Sequence, residues 1–120
     1  MLDIACLLNH RGDTDLIEAF CSHDSMMTKV ARQTGMKAER WTIDDYDLSS
    51  EKGYLLAEQR LRQLRPRRLW LSPECGPFSQ LQNANQRTPE QIADLTKKRE
   101  QGLKQWKSCM RLAWVQLELG

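Results

Sequence analysis

The chain contains no CxxC pair, no apolar run long enough to cross a bilayer, and no basic-plus-apolar leader at its start. The first absence excludes a disulfide framework and a zinc site of the usual ligand spacing, because Cys6, Cys21, Cys75 and Cys109 are widely scattered. The histidines do not change this. Cys21 and His23 would point to opposite faces of a strand, or lie in a turn, and no second pair completes four ligands. No metal is therefore expected. The second and third absences lead us to expect a soluble, intracellular chain with no membrane partner, nucleus or cytoplasm being left open.

What is present fits one globular domain. The 120 residues are 40% hydrophobic and 28% charged, with a net charge of +2. The charge is unevenly placed. Residues 1–50 carry 5 Lys/Arg against 9 Asp/Glu, a net of −4; residues 51–120 carry 13 against 7, a net of +6. The basic residues gather in two places, Arg60 to Arg68 and Lys97 to Arg111. Such a run is either a solvated face or a phosphate-contacting one.

The chain is organised around Leu69-Trp70-Leu71-Ser72-Pro73-Glu74-Cys75-Gly76-Pro77-Phe78-Ser79. An apolar run that stops at Ser-Pro reads as a buried strand ending in a tight turn, which puts Cys75 just past the strand's carboxyl end. In open α/β sheets, ligands and reacting groups collect there.

Ahead of it, Met1–Leu8 reads as a strand or a helical turn, and His10 to Asp13 as a turn. Residues 15–21 form a compact apolar run, expected as the first core strand. Ser22, Asp24 and Ser25 are candidate caps for a helix carrying Met26, Met27, Val30 and Ala31, with Gly35 placed to end it in a left-handed conformation. Residues 38–43 read as a second strand with Trp41 and Ile43 on one face. Asp44, Asp45 and Asp47 crowd its end; Asp47, Ser49 and Ser50 also suit the cap of the next helix. That helix carries the stripe Tyr54, Ala57, Leu61 and Leu64, and must end by Arg65 because Pro66 follows. Alternating helices and strands call for a parallel sheet with helices against it.

After the central turn, residues 80–87 are amide-rich, a flexible loop or a lid. Thr88-Pro89-Glu90-Gln91 is a capping box with proline at the first helical position. The helix it starts is expected to run to Leu119 and to cover the sheet with its carboxyl half, its basic amino half projecting. Leu103, Trp106, Met110, Ala113 and Leu117 repeat along it at three-then-four spacing, after Ile92 and Leu95.

The turn around Cys75 resembles the Pro-Cys turn that carries the nucleophile of cytosine-5 DNA methyltransferases, in which Phe-Ser follows within a few residues, as Phe78-Ser79 does here. Here Glu74 stands before the cysteine. Ile17 to Asp24 is similar to the cofactor-binding opening of that family, with Ser22 and Asp24 where its two glycines would be. The resemblance covers roughly residues 15–79. It implies a three-layer, Rossmann-like, methyltransferase-type partial domain, α/β in class, with a short parallel sheet flanked by helices and a long C-terminal helix. It implies S-adenosylmethionine as cofactor, held by Glu18, Phe20, Ser22, Asp44, Asp45 and Pro73. It implies Cys75 as the thiolate that attacks carbon six of a flipped cytosine.

The departures have physical consequences. Side chains at Ser22 and Asp24 add bulk and charge where a backbone should pass close to the ligand. Glu74 disfavours ionisation of the neighbouring thiol. Only one helix fits between Asp47 and Leu69, where the family has a further strand and helix, and no counterpart follows for the strand bearing the base-protonating Glu. The expected organisation is an N-terminal extension (1–14), a β-α-β-α-β core (15–79), a loop (80–87) and a basic amphipathic helix (88–119). Two functions are carried forward. One is a degenerate cytosine-5 methyltransferase-like domain without complete catalytic machinery. The other is a noncatalytic binding or assembly module, because the Cys-Gly-Pro turn, amide-rich loop and basic helix also resemble modules of retroelement polyproteins. Such a module would contact DNA through Arg87, Lys97, Lys98 and Lys104, or a second chain through the last helix.

Overall fold

The computed structural model describes residues 12–73 and 87–120. Within them the element order is β1 (Leu16–Ala19), α1 (Met26–Gln33), β2 (Ala38–Trp41), α2 (Glu51–Leu64), β3 (Arg68–Leu71) and α3 (Pro89–Leu119). The three strands form one parallel sheet in the order β2-β1-β3. Glu18 stands opposite Arg40 of β2 and Trp70 of β3. The chain is therefore α/β, with β1 central and the direction of winding reversing at it. The strands are shorter than the apolar runs suggest. β2 ends at Trp41, and Ile43, expected beside it, is 63% exposed while Trp41 is 1% exposed.

The two-residue period of β1 divides the core. Ile17 and Ala19 face a cluster with Trp41, Tyr54, Ala57, Leu61, Leu112 and Val115, built from the inner faces of α2 and α3. Leu16 and Glu18 face α1. Helices thus lie on both faces of the sheet. The apolar stabilisation is concentrated on the α2–α3 side, at about 1.5–3 kcal/mol for each fully buried large side chain.

Local chemistry sets the helix ends. Ser50 caps α2 by accepting from the Gly53 amide at 3.0 Å. Asp47 accepts instead from the Ser49 amide and hydroxyl, at 3.1 and 2.6 Å. Arg65, ahead of Pro66, closes α2 in the left-handed region with φ 44°, and Gly35 does so after α1 with φ 86°. The Thr88–Gln91 capping box forms as the sequence predicts. Ser25 occupies the N-cap of α1 but makes no side-chain cap bond there. Its place is taken by Glu18, from the strand before.

The carboxyl half of α3 crosses the sheet beside α2, as its apolar content predicts, but with a different face inward. Gly102, Ser108, Cys109, Leu112, Val115 and Leu119 are buried. Leu103, Met110 and Leu117 are 53%, 62% and 71% exposed. Apolar residues occupy more than half the circumference of this helix, so spacing alone does not choose between its faces. Tertiary anchors choose. Ser108 donates to the Leu48 carbonyl, Gln116 to the Pro66 carbonyl at 2.9 Å, and Arg111 makes a two-pronged pair with Glu51 at 2.7 and 3.1 Å.

Two predictions follow from this packing. A Cβ on Gly53 would stand inside contact distance of the Asp47 carbonyl oxygen and close to its backbone nitrogen. Gly53→Ala is therefore expected to lose about 1–3 kcal/mol despite the roughly 1 kcal/mol that alanine gains in a helix, read as a lowered urea midpoint. Burial and the hydrogen bond from Tyr54 to Glu58, at 2.7 Å, push the Tyr54 hydroxyl up to about 12. A raised folded value favours the protonated form, so this stability is complete below the ordinary value near 10 and is lost as pH rises towards 12. Tyr54→Phe should flatten the fall of thermal stability over that window.

Candidate functional site

The carboxyl ends of β1 and β2 open onto a cavity of about 220 Å³. Phe20, Cys21, Ser22 and His23 line it from the turn after β1. Trp41, Thr42, Ile43, Tyr46, Asp47 and Leu48 line it from the segment after β2, and Gln105 of α3 closes one side. The walls are aromatic and the rim acidic. Trp41 and Tyr46 meet edge to face with ring centroids 4.9 Å apart. His23 Nε2 lies 2.8 Å from Asp44 Oδ2 and 3.4 Å from the Thr42 hydroxyl. Asp45 turns back on its own loop, accepting from the Thr42 amide and hydroxyl at 2.8 and 3.0 Å.

The turn that makes one wall is held from two strands. Glu18, 5% exposed, accepts from the Thr28 amide at 3.1 Å, the Thr28 hydroxyl at 2.5 Å and the Ser25 hydroxyl. Arg40, its partner on β2, donates to the backbone carbonyls of His23 and Ser25. Between these fixed points Phe20 is in the left-handed region, with φ 62°. A non-glycine residue there stores strain of roughly 1–2 kcal/mol. Ser22 donates to Asp24 at 2.8 Å, and this bond holds the Asp24 carboxyl below its usual range.

Of the residues singled out in the sequence, Phe20 and Ser22 line the cavity, and Asp44 stands at its rim against His23. Glu18 is committed to the start of α1 and Asp45 to Thr42. Pro73, half-buried, ends the first described segment beyond β3. Cys75 lies outside the described residues. Arg87 is half-buried just before α3, and Lys98 is paired with Asp94 at 3.1 Å. Lys97 and Lys104 line a second, open groove of about 810 Å³ with Lys107, Arg111, Ser49 and Ser50.

The cavity also depends on residues that sequence patterning does not single out. Tyr46 and Thr42 follow a strand rather than belong to one, and Gln105 arrives from a helix far along the chain. Neither thiol of known environment is activated. Burial and the Glu18 carboxylate push Cys21 up, and burial alone pushes Cys109 up. Among the described residues, no three His, Cys, Asp or Glu side chains converge as a metal site, and no helix is long and apolar enough to cross a membrane.

No family model, curated protein or solved structure matches this chain.

Replacing Glu18 by glutamine removes one acceptor oxygen and puts an amide against three donors. Glu18→Gln is expected to destabilise the fold by about 1–3 kcal/mol, checked by the shift of the urea unfolding midpoint at constant slope.

Proposed function

We propose that this chain is a Rossmann-like, methyltransferase-type domain that binds the nucleoside end of S-adenosylmethionine or S-adenosylhomocysteine beyond the carboxyl ends of β1 and β2. The observation that carries this reading is the aromatic, acid-rimmed cavity at that edge of a parallel sheet, beside a left-handed residue at the end of the central strand. Ligands of open α/β sheets bind outside the strands' carboxyl ends, next to the point where the winding reverses.

The residues present fit a nucleoside. At about 220 Å³ the cavity is below the ~300–1,000 Å³ of sites that enclose a whole drug-sized ligand, so it suits a base and sugar with the remainder outside. The base would lie among Phe20, Ile43 and Tyr46. Asp44 and Asp47, both exposed at the rim, offer carboxylates to the ribose hydroxyls. The charged tail would extend past the turn after β1 towards Pro73. Glu18 acts through the turn it holds, as a positioning residue. A bound cofactor would supply an electrophilic methyl group; this chain's own part is to hold and orient it. Methyl transfer to cytosine is not assigned, because Ser22, Asp24 and Glu74 depart from the family's pattern at its two motifs.

Calorimetric titration tests the reading. Binding of S-adenosylhomocysteine with a dissociation constant on the order of 10 µM, or about −7 kcal/mol, is the expected result. Ile43→Arg should weaken it at least tenfold while leaving the circular dichroism spectrum unchanged, since Ile43 lines the cavity yet is 63% exposed. The absence of heat with both S-adenosylmethionine and S-adenosylhomocysteine would overturn the proposal.

A further inference from the structure

Ahead of Gly102 no residue of α3 is buried, so thirteen residues of a helix about 46 Å long have little to pack on among the described residues. An isolated helical segment of that length is marginal in water. Yet the three-then-four spacing runs through it and becomes fully apolar from Leu103 onwards, in the anchored half. Thr96, Arg99, Leu103, Trp106, Met110 and Ala113 follow one another at three-then-four spacing, with Ile92 before them and Leu117 after. This is the repeat that keeps one seam facing a partner helix.

We propose that two copies of this chain pair through α3, antiparallel and about a two-fold axis near Lys104 and Gln105. The projecting amino half of each helix would lie along the solvent-facing seam of the other's anchored half. In this register Ile92 meets the partner's Leu117, Leu103 meets its Trp106, and the stem of Arg99 covers its Met110.

Three observations choose this occupant and this direction. The first concerns the flanks of the seam. One flank carries the buried Gly102 and Cys109, on the side of the helix that turns to the body. The other carries Glu100, Lys107 and the 65% exposed Trp114. A parallel pair sets opposite flanks against each other, and the body would stand in the way. An antiparallel pair sets open flank against open flank and leaves both bodies on the other side of the seam, each beside the partner's projecting half. The second is charge. Across the two-fold, Glu100 of each copy faces Lys107 of the other, and neither makes an ion pair within the chain among the described residues. Trp114 meets Ala93, a large side chain over a small one. The third is area. Covering Ile92, Leu103, Trp106, Met110, Trp114 and Leu117, now 41–71% exposed, removes on the order of 1,200 Å² over both copies, the lower edge of stable specific interfaces.

Sedimentation velocity of the full chain, from about 1 to about 100 µM, tests the pairing. The expected species has twice the 14.0 kDa chain mass, and Met110→Glu with Trp114→Glu returns it to monomer with helicity by circular dichroism retained. Glu100→Lys and Lys107→Glu, both at exposed positions, should each weaken association about tenfold, as two attractive pairs become two repulsive ones. The double variant should restore it. A monomer throughout overturns the proposal. So does a dimer indifferent to the Met110 and Trp114 changes, which places the interface elsewhere, or a double variant that stays weak, which rejects the antiparallel register.

Discussion

A buried carboxylate on the central strand is the constraint on which the sheet's carboxyl edge depends. Glu18 is 5% exposed and surrounded by donors at the start of α1. Taking a charge from water is unfavourable unless hydrogen bonds replace its solvation, and Ser25 and Thr28 replace it only when α1 starts where it does. Arg40 fastens the same turn from the neighbouring strand by gripping two backbone carbonyls. Because Glu18 and Arg40 stand opposite each other in the β1–β2 register, pairing the strands and placing the turn are one event. The strained Phe20 is held between these anchors, and the aromatic cavity exists because the turn cannot relax.

The opposite face of the sheet follows different physics. There the packing is apolar, from Ile17 and Trp41 through Tyr54 and Leu61 to Leu112 and Leu119. Polar groups act at the margins, as latches between elements. Arg111 lies over the Tyr54 ring, 3.7 Å from its centroid, while holding Glu51. These latches determine which side of α3 the core receives. A helix with apolar residues on two sides has two candidate inner faces, and the one left outside is the better heptad seam.

Much of the architecture was legible along the chain. Gly35, Pro66 and the Thr88–Gln91 box mark ends by backbone chemistry that acts within a few residues, and they act so here. The stripe from Tyr54 to Leu61 is buried as its spacing requires. The site was legible in part. Phe20 and Ser22, which line the cavity, are singled out by the resemblance of residues 17–24 to a cofactor-binding opening rather than by the strand pattern itself. The part taken by Glu18 was not legible, since an acid within an apolar strand gives no sign of whether its partners will be a ligand or the next helix. Asp45 and Ser25 illustrate the same difficulty: short polar side chains can serve several backbone groups, and only the turn geometry selects one.

By itself, then, the sequence determined the alternation of strands and helices, the places where each must stop, and a basic last helix with apolar residues to spare. Tertiary structure alone decided the strand order, the commitment of Glu18 and Arg40 to the first turn, the arrival of Gln105 at the cavity, and the face of α3 turned to the core. The physical reason is range. Capping, proline and glycine effects act over three or four residues, whereas burial is settled by which surfaces meet, and in this chain those surfaces come from segments sixty and more residues apart.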